Sequence, residues 1–153
     1  TRCRFMKVFL DTNIFMEYVS CRKQYETIRD VFDAIEDGKI TAVMSIGGLY
    51  TLTFLITRLL KESNIHRPEQ TEKLRIVLKG LLQLAPIVDC SQEVALEAVA
   101  DERFTDIEDS LQYHCAKQNS CDVLLTINIK DFKKVIDGDL RIISPQEFVS
   151  EFL

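Results

Sequence analysis

The segment VFLDTNIFMEY, residues 8–18, joins a strand-like apolar run to a second apolar segment. Three polar residues, Asp11, Thr12 and Asn13, separate the two runs. In a parallel α/β sheet, ligands bind beyond the carboxyl ends of the strands, so an acid at the end of a strand faces the binding crevice. An acid in this position can also cap the helix that follows it. Asp11 is therefore a candidate ligand or a helix cap.

The same alternation of short apolar runs with long amphipathic segments continues along the chain. The strand candidates are MKVFL (6–10), ITAVM (40–44), PIVD (86–89), DVLLT (122–126) and LRIIS (140–144). Helical segments are predicted over 14–37, 46–63 and 68–83, from Ser91, from about Asp106 and from Pro145. Strands that alternate with helices imply right-handed crossovers, which predicts a three-layer α/β/α sandwich with a central, mainly parallel sheet. We expect one domain over residues 6–153 and an N-terminal extension at 1–5.

Three of the helix boundaries carry local signals. Gly38 stands where a helix must end in a left-handed residue before the next strand. Ser144 followed by Pro145 is typical of an N-cap with proline at the first helical position. Gly47 and Gly48 come early in a predicted helix, where glycine costs about 1 kcal/mol relative to alanine. We therefore expect close packing or backbone exposure at these two glycines.

Composition excludes several classes of protein. The apolar run LYTLTFLI, 49–56, is far shorter than the roughly 18–20 residues that cross a bilayer. The five cysteines form no CxxC pair, which favours reduced thiols in a cytoplasmic protein over disulfides or a zinc site. The net charge of −5 argues against general electrostatic adhesion to nucleic acid. No GxGxxG motif follows a strand, so a dinucleotide site is unsupported.

Further polar residues stand at the start of the late helix and after the fourth strand. Asp106 and Asp109 are three residues apart in FTDIEDSLQYHCA, so they share a helix face, while Ile107, Leu111 and Cys115 are expected to form its buried stripe. Asp106 alone can equally be a helix cap. Thr126 closes a strand, Asp131 lies five residues after it, and Asn128 lies between them. With the acid of the first strand, these side chains are predicted to meet at one rim of the sheet. Carboxylate oxygens without imidazole or thiolate favour Mg²⁺ or Mn²⁺.

Three segments in this order resemble the PIN-domain family of nucleases: LDTN, DIEDSLQYHCA and DVLLTINIKDF. The resemblance extends from Met6 to about Leu153. It implies an α/β/α fold, a cluster of acids that binds Mg²⁺ or Mn²⁺, and RNA endonuclease activity of the kind found in toxins of toxin–antitoxin pairs. By the same resemblance, Asp11 matches the first acid of the family and Asp109 the acid of the late helix.

The resemblance also implies a role for each site residue. The assignments are Asp11, Asp109 and Asp131 as catalytic acids, Asp11, Asp106, Asp109 and Asn128 as metal ligands, and Asn13 and Thr126 as residues that position water or phosphate. The usual glutamate on the helix after the second strand is absent, because its position is near Thr51. The paired form DxxD of Asp106 and Asp109 resembles a subgroup that lacks this glutamate.

The implied partners are single-stranded or structured RNA, an antitoxin protein and a second copy of the chain. Six basic residues are candidates to guide the RNA backbone, although they can also form a solvated helix face or a partner surface: Arg58, Lys61, Arg67, Lys73, Arg75 and Lys79. His114 is interpreted as a packing residue, because the sequence offers it no partner.

Two other functions remain open at this stage. The first is an RNA-binding or protein-interaction module that keeps the PIN fold with weakened catalysis. The second is a phosphotransfer or phosphatase domain with Asp11 as the nucleophile. The residues after Asp11 are Thr and Asn, whereas a haloacid-dehalogenase-like phosphatase would have a second aspartate in a DxD arrangement, which disfavours the second function.

Overall fold

A parallel sheet forms the centre of the computed structural model, which describes residues 5–153. Of the predicted extension at 1–5, residues 1–4 lie outside the described residues. Within the described range the sheet has five strands: β1 (Lys7–Leu10), β2 (Thr41–Ser45), β3 (Ile87–Val88), β4 (Val123–Leu125) and β5 (Arg141–Ile143). They are arranged in the order β3-β2-β1-β4-β5, and every neighbouring pair is parallel.

The strand order reverses its direction at β1. The chain builds outward from β1 through β2 to β3, and then returns to the other side of β1 to add β4 and β5. Val8 is in register with Ala42 on one side and Val123 on the other. A sheet of this kind opens a crevice where neighbouring strands send their connections in opposite directions. That crevice lies at the carboxyl ends of β1 and β4.

Helices cover both faces of the sheet. Over the part of the chain that is described, the helices are α1 (Thr12–Val19), α2 (Tyr25–Glu36), α3 (Ile46–Glu62), α4 (Glu69–Leu84), α5 (Gln92–Ala100), α6 (Ile107–Gln118) and α7 (Pro145–Phe152), with a 3₁₀ turn at Ile129–Phe132. None of them is both long and apolar enough to cross a membrane.

The alternation of strand side chains divides the core into two parts. Val8 and Leu10 of β1 point to a large apolar cluster that includes residues of α1, α2, α3, α4 and α7. Phe9 points to a second cluster, built from α6, the 3₁₀ turn and their neighbours. All three side chains are buried. The predicted three-layer α/β/α sandwich is therefore confirmed.

The helix predicted over 14–37 is wrong in one respect, because the structure divides it into α1 and α2. Ser20 ends α1, and Cys21 then adopts a left-handed conformation with φ +48°.

The signals predicted at two other helix boundaries are confirmed. Gly38 has φ +72° after α2, and Ser144 Oγ accepts the N–H of Glu147 at 3.2 Å at the start of α7.

Candidate active site

Asp11 lies at the junction of β1 and α1, in the crevice between β1 and β4, and is 5% exposed. Its Oδ1 accepts the N–H of Thr12 at 2.8 Å, and its Oδ2 accepts the hydroxyl of Thr126 at 2.8 Å. Burial raises the pKa of Asp11, and these hydrogen bonds oppose the rise. The residue is thus both a strand-end acid and the cap of α1.

Asn13 and Thr126 connect the ends of β1 and β4. The Asn13 amide nitrogen donates to Thr126 Oγ1 at 3.2 Å, and Asn13 Oδ1 accepts the N–H of Ile127 at 3.2 Å. Thr126 Oγ1 also accepts the N–H of Asn128 at 3.2 Å. Thr126 is fully buried. The observed contacts of these two side chains orient Asp11 and the turn after β4, and their contact with substrate stays a prediction.

The N-terminal turn of α6 brings further carboxylates to the same crevice. Asp106 caps the helix, since its Oδ1 accepts the N–H of Asp109 at 3.1 Å. Asp109 is half-buried, and its pKa is raised to about 7, first by burial and then by repulsion from Asp11, Asp106, Asp131 and Glu108. Above that pH the folded chain holds several carboxylates that repel one another. A bound cation would offset the repulsion.

Asn13, Asp106 and Asp109 line a cleft of about 360 Å³, whereas the buried Asp11 is not part of its lining. One wall consists of residues from α1, α6 and the turn after β4: Thr12, Asn13, Met16, Asp106, Glu108, Asp109 and Asn128. The opposite wall consists of Arg22 and residues of α3: Thr51, Leu55, Arg58, Leu59 and Glu62. Thr51, near which the resemblance places the usual glutamate, therefore lies in the cleft as an uncharged residue.

Asp131 is placed differently from the other predicted acids. It is exposed on the 3₁₀ turn and lines a neighbouring pocket with Arg103 and Lys130, while its charge still contributes to the raised pKa of Asp109. Between Phe5 and Leu153, no group of three or more His, Cys, Asp or Glu side chains stands close enough together to hold a metal ion. Both carboxylate oxygens of Asp11 already accept hydrogen bonds from within the chain, Oδ1 from the Thr12 N–H and Oδ2 from the Thr126 hydroxyl. The donor chemistry of Asp11, Asp106, Asp109 and Asn128 nevertheless fits a hard divalent cation, and their role as ligands stays a prediction.

Sequence reasoning missed Gln112. Its side chain is 3% exposed, its Oε1 accepts the hydroxyl of Ser45 at 2.5 Å, and its Nε2 lies 3.5 Å from Asp11 Oδ1. The expected close packing is confirmed at Gly48, where an added Cβ would be 3.2 Å from Ser45 Oγ. The signal that could have identified Gln112 is its spacing, because a residue three positions after Asp109 lies on the same helix face as Asp109.

The predicted buried stripe of α6 is partly wrong. Cys115 is buried, but Ile107 is 47% exposed. The buried face of α6 instead contains Ser110, Gln112 and Tyr113. Gln112 faces the site, whereas Ser110 donates its hydroxyl to the Ala98 carbonyl of α5 at 2.6 Å, and the apolar pattern could not predict either contact.

A family model described as PIN domain matches residues 7–130 of the chain. Ribonuclease VapC1 of Aquifex aeolicus (strain VF5) is 24% identical over 144 residues, which cover 93% of this chain and 92% of the relative.

Two solved structures share the fold. One is VapBC2 from Rickettsia felis bound to a DNA fragment from its promoter, with TM-score 0.65, 18% identity and coverage of 91% of this chain and 98% of that chain. The other is VapBC-1 from nontypeable Haemophilus influenzae, with TM-score 0.61, 17% identity and coverage of 92% and 99%. At these identities the match concerns the fold alone.

Proposed function

The chain belongs to the PIN-domain family, and we propose that it is a metal-dependent RNA endonuclease that acts as the toxin of a toxin–antitoxin pair. One observation carries the proposal. At the β1–β4 crevice, the N-terminal turn of α6 places the half-buried Asp109 close to the buried Asp11, and burial first and then repulsion from Asp11 and its neighbours raise the pKa of Asp109 to about 7. A fold that places repelling carboxylates beside an open cleft is suited to a cation.

Asp11, Asp106, Asp109 and Asn128 are the residues that would hold Mg²⁺ or Mn²⁺, with Asp131 at the edge of the set. When bound, the cation supplies Lewis acidity for phosphodiester hydrolysis. Asp11 is oriented from both sides, since Thr12 and Thr126 each donate a hydrogen bond to it at 2.8 Å.

The remaining residues of the cleft act on the substrate and on the acids. Asn13 lines the cleft and is the candidate to orient the scissile phosphate, while Thr126 acts through Asp11. Gln112 holds Asp11 from the α6 side. Arg22 and Arg58 face the same cleft and bring positive charge to the phosphate backbone.

Support for the activity comes from the relative named a ribonuclease, which matches almost the whole chain. Support for an antitoxin partner comes from the shared fold with two VapBC assemblies. A homodimer in the cytoplasm is part of the same proposal.

The test is cleavage of single-stranded and hairpin RNA with Mg²⁺, Mn²⁺ or EDTA. Wild type should cleave the RNA with either metal and should not cleave it in EDTA. The Asp11→Asn and Asp109→Asn variants should not cleave it under any of these conditions. Asp30→Asn, which removes the same charge from an exposed site on α2, should keep the cleavage activity. Cleavage that persists in EDTA, or in both cleft variants, would refute the proposed site.

One observation favours a second candidate, a PIN-fold binding module with weakened catalysis. Thr51, near the position where the resemblance expects a glutamate, lines the cleft, and no group of three acids in residues 5–153 is assembled as a metal site. This module would bind RNA or a protein partner without Mn²⁺-dependent cutting. The same assay, with RNA binding measured alongside it, separates the two functions.

A further inference from the structure

A basic pocket lies next to the acidic cleft. It has a volume of about 360 Å³ and is lined by Arg103, Thr105, Lys130, Asp131, Lys133 and Lys134. The three lysines are exposed, and in the described range they take part in no ion pair. Arg103 is paired with Asp101, but the three lysines against the single carboxylate of Asp131 still leave the pocket with a net positive charge, the opposite of the cleft.

Arg103 is held in place by its neighbours. Its Nε and Nη2 donate to Asp101 at 2.9 and 2.7 Å, and its guanidinium lies over the Tyr113 ring, 5.7 Å from the centroid. Asp101 is fixed in turn by His114, whose Nε2 is 2.7 Å from Asp101 Oδ2. His114 packs against Tyr113 as expected, with ring centroids 5.2 Å apart, and it also has a partner, Asp101, that the sequence did not indicate. Asp101 and Tyr113 thus pre-order the guanidinium of Arg103 at the pocket, and a pre-ordered guanidinium suits a phosphate group.

The pocket and the cleft share a border. Thr105 of the pocket directly precedes Asp106 of the cleft, and Lys130 follows Asn128 of the cleft by two residues. Asp131 lines the pocket and still adds to the repulsion on Asp109. A nucleic-acid strand that crosses the cleft on this side would therefore pass next into the pocket.

We infer that Arg103, Lys130, Lys133 and Lys134 form a subsite for a backbone phosphate of RNA, adjacent to the position that is cut. The inference rests on the proposed ribonuclease function and identifies where the flanking strand runs. It adds to the sequence-based expectation, which favoured basic residues of α3, of α4 and of the loop between them; of those six residues, Arg58 alone lines the cleft. Two of those are paired with acids one turn away, Arg58 with Glu62 at 3.7 Å and Lys73 with Glu69 at 3.9 Å.

The test compares two double variants with the same change in charge. Lys133→Gln with Lys134→Gln removes two cations from the pocket, and Lys73→Gln with Lys79→Gln removes two exposed cations from α4. Binding to a fluorescent single-stranded RNA is measured by anisotropy in EDTA, where metal-dependent cutting is off, at several salt concentrations. The pocket variant should bind about tenfold more weakly, the effect of about one charge-assisted contact. Its salt slope should fall by about 0.7–1.4, as expected for one or two lost phosphate contacts on a single strand. The α4 variant should bind like wild type.

Three results would overturn the subsite: unchanged binding in the pocket variant, an equal loss in both variants, or no RNA binding by wild type in EDTA. A separate cleavage assay with Mn²⁺ keeps the two proposals distinguishable. If wild type binds through the pocket but never cuts, the nuclease proposal fails and the subsite stands. If wild type cuts while the pocket variant binds normally, the subsite fails and the nuclease proposal stands.

Discussion

Removing the charge of Asp109 should stabilise the metal-free protein at high pH. The pKa of this carboxyl is raised from 3.8 to about 7, because the side chain is half-buried and faces Asp11, Asp106, Asp131 and Glu108. At about 1.4 kcal/mol per tenfold change in the ionisation constant, a shift of that size has an upper bound of about 4 kcal/mol. Solvent screens a side chain that is only half-buried, which reduces the expected gain for Asp109→Asn to about 1–2 kcal/mol.

The pH dependence of this gain follows from linkage. Below pH 3.8 the carboxyl is protonated in both the folded and the unfolded chain, so it does not affect the free energy of unfolding. Between 3.8 and about 7 only the unfolded chain ionises, which favours unfolding progressively as the pH rises. Above about 7 both states are ionised and the penalty is constant. The advantage of Asp109→Asn over wild type should therefore grow across this range and then level off.

Urea denaturation in EDTA at several pH values between 4 and 8 measures this difference. Asp30→Asn is the matched control, since it removes an exposed acid from α2 and should show no such pH dependence. With Mn²⁺ at about 100 times its dissociation constant, wild type should regain about 2.7 kcal/mol, as for any ligand that binds only the folded state. Asp109→Asn should gain much less. A gain that is the same at all pH values, or no gain above pH 7, would contradict the assigned electrostatics.

Three further changes test local packing and charge. Gly80→Ala in α4 should raise the free energy of unfolding by about 0.5–1 kcal/mol, because an added methyl meets no atom within 4 Å and alanine is the better helix former. Gly48→Ala should not raise the free energy of unfolding, since its methyl would lie 3.2 Å from Ser45 Oγ. An increase equal to that of Gly80→Ala in the same denaturation experiment would contradict the tight packing. Asp101→Asn should cost about 1–3 kcal/mol at pH 7 by leaving His114 without its charged partner. Because hydrogen bonds from Arg103 and His114 lower the pKa of Asp101, this cost should fade as the pH drops below 3.8, and a cost that persists in acid would refute the ion pairing.

The sheet could be predicted from the sequence because its determinants are local. Each strand is a short apolar run, and each is followed by a helix with its own start or stop signal, such as Gly38 or Ser144. The break between α1 and α2 is different. No glycine or proline marks residues 20–24, and the chain turns there through a left-handed Cys21, which residue preference does not anticipate.

The site was predictable where it depends on strand ends and not where it depends on packing between helices. Asp11 and Thr126 close adjacent strands, so the rule for parallel sheets brings them together. Gln112 reaches Asp11 only because α6 packs its polar face on the sheet, and His114 finds Asp101 only because the loop after α5 folds back on α6. Contacts of this kind depend on tertiary geometry that periodicity does not encode.

The uncharged Thr51 raises the question of whether the cleft still attracts a cation. Besides the buried Asp11, four carboxylates line or border it from other positions: Glu62 at the end of α3 and Asp106, Glu108 and Asp109 at the start of α6. Glu62 is partly neutralised by Arg58, but the three acids of α6 belong to a single helical turn and lie beside Asp11. Their repulsion is already visible in the pKa of about 7 at Asp109. A glutamate at position 51 would add to that repulsion, so its absence changes where the negative charge of the cleft stands, while the acids of α6 and Asp11 remain as the residues proposed to hold a divalent cation.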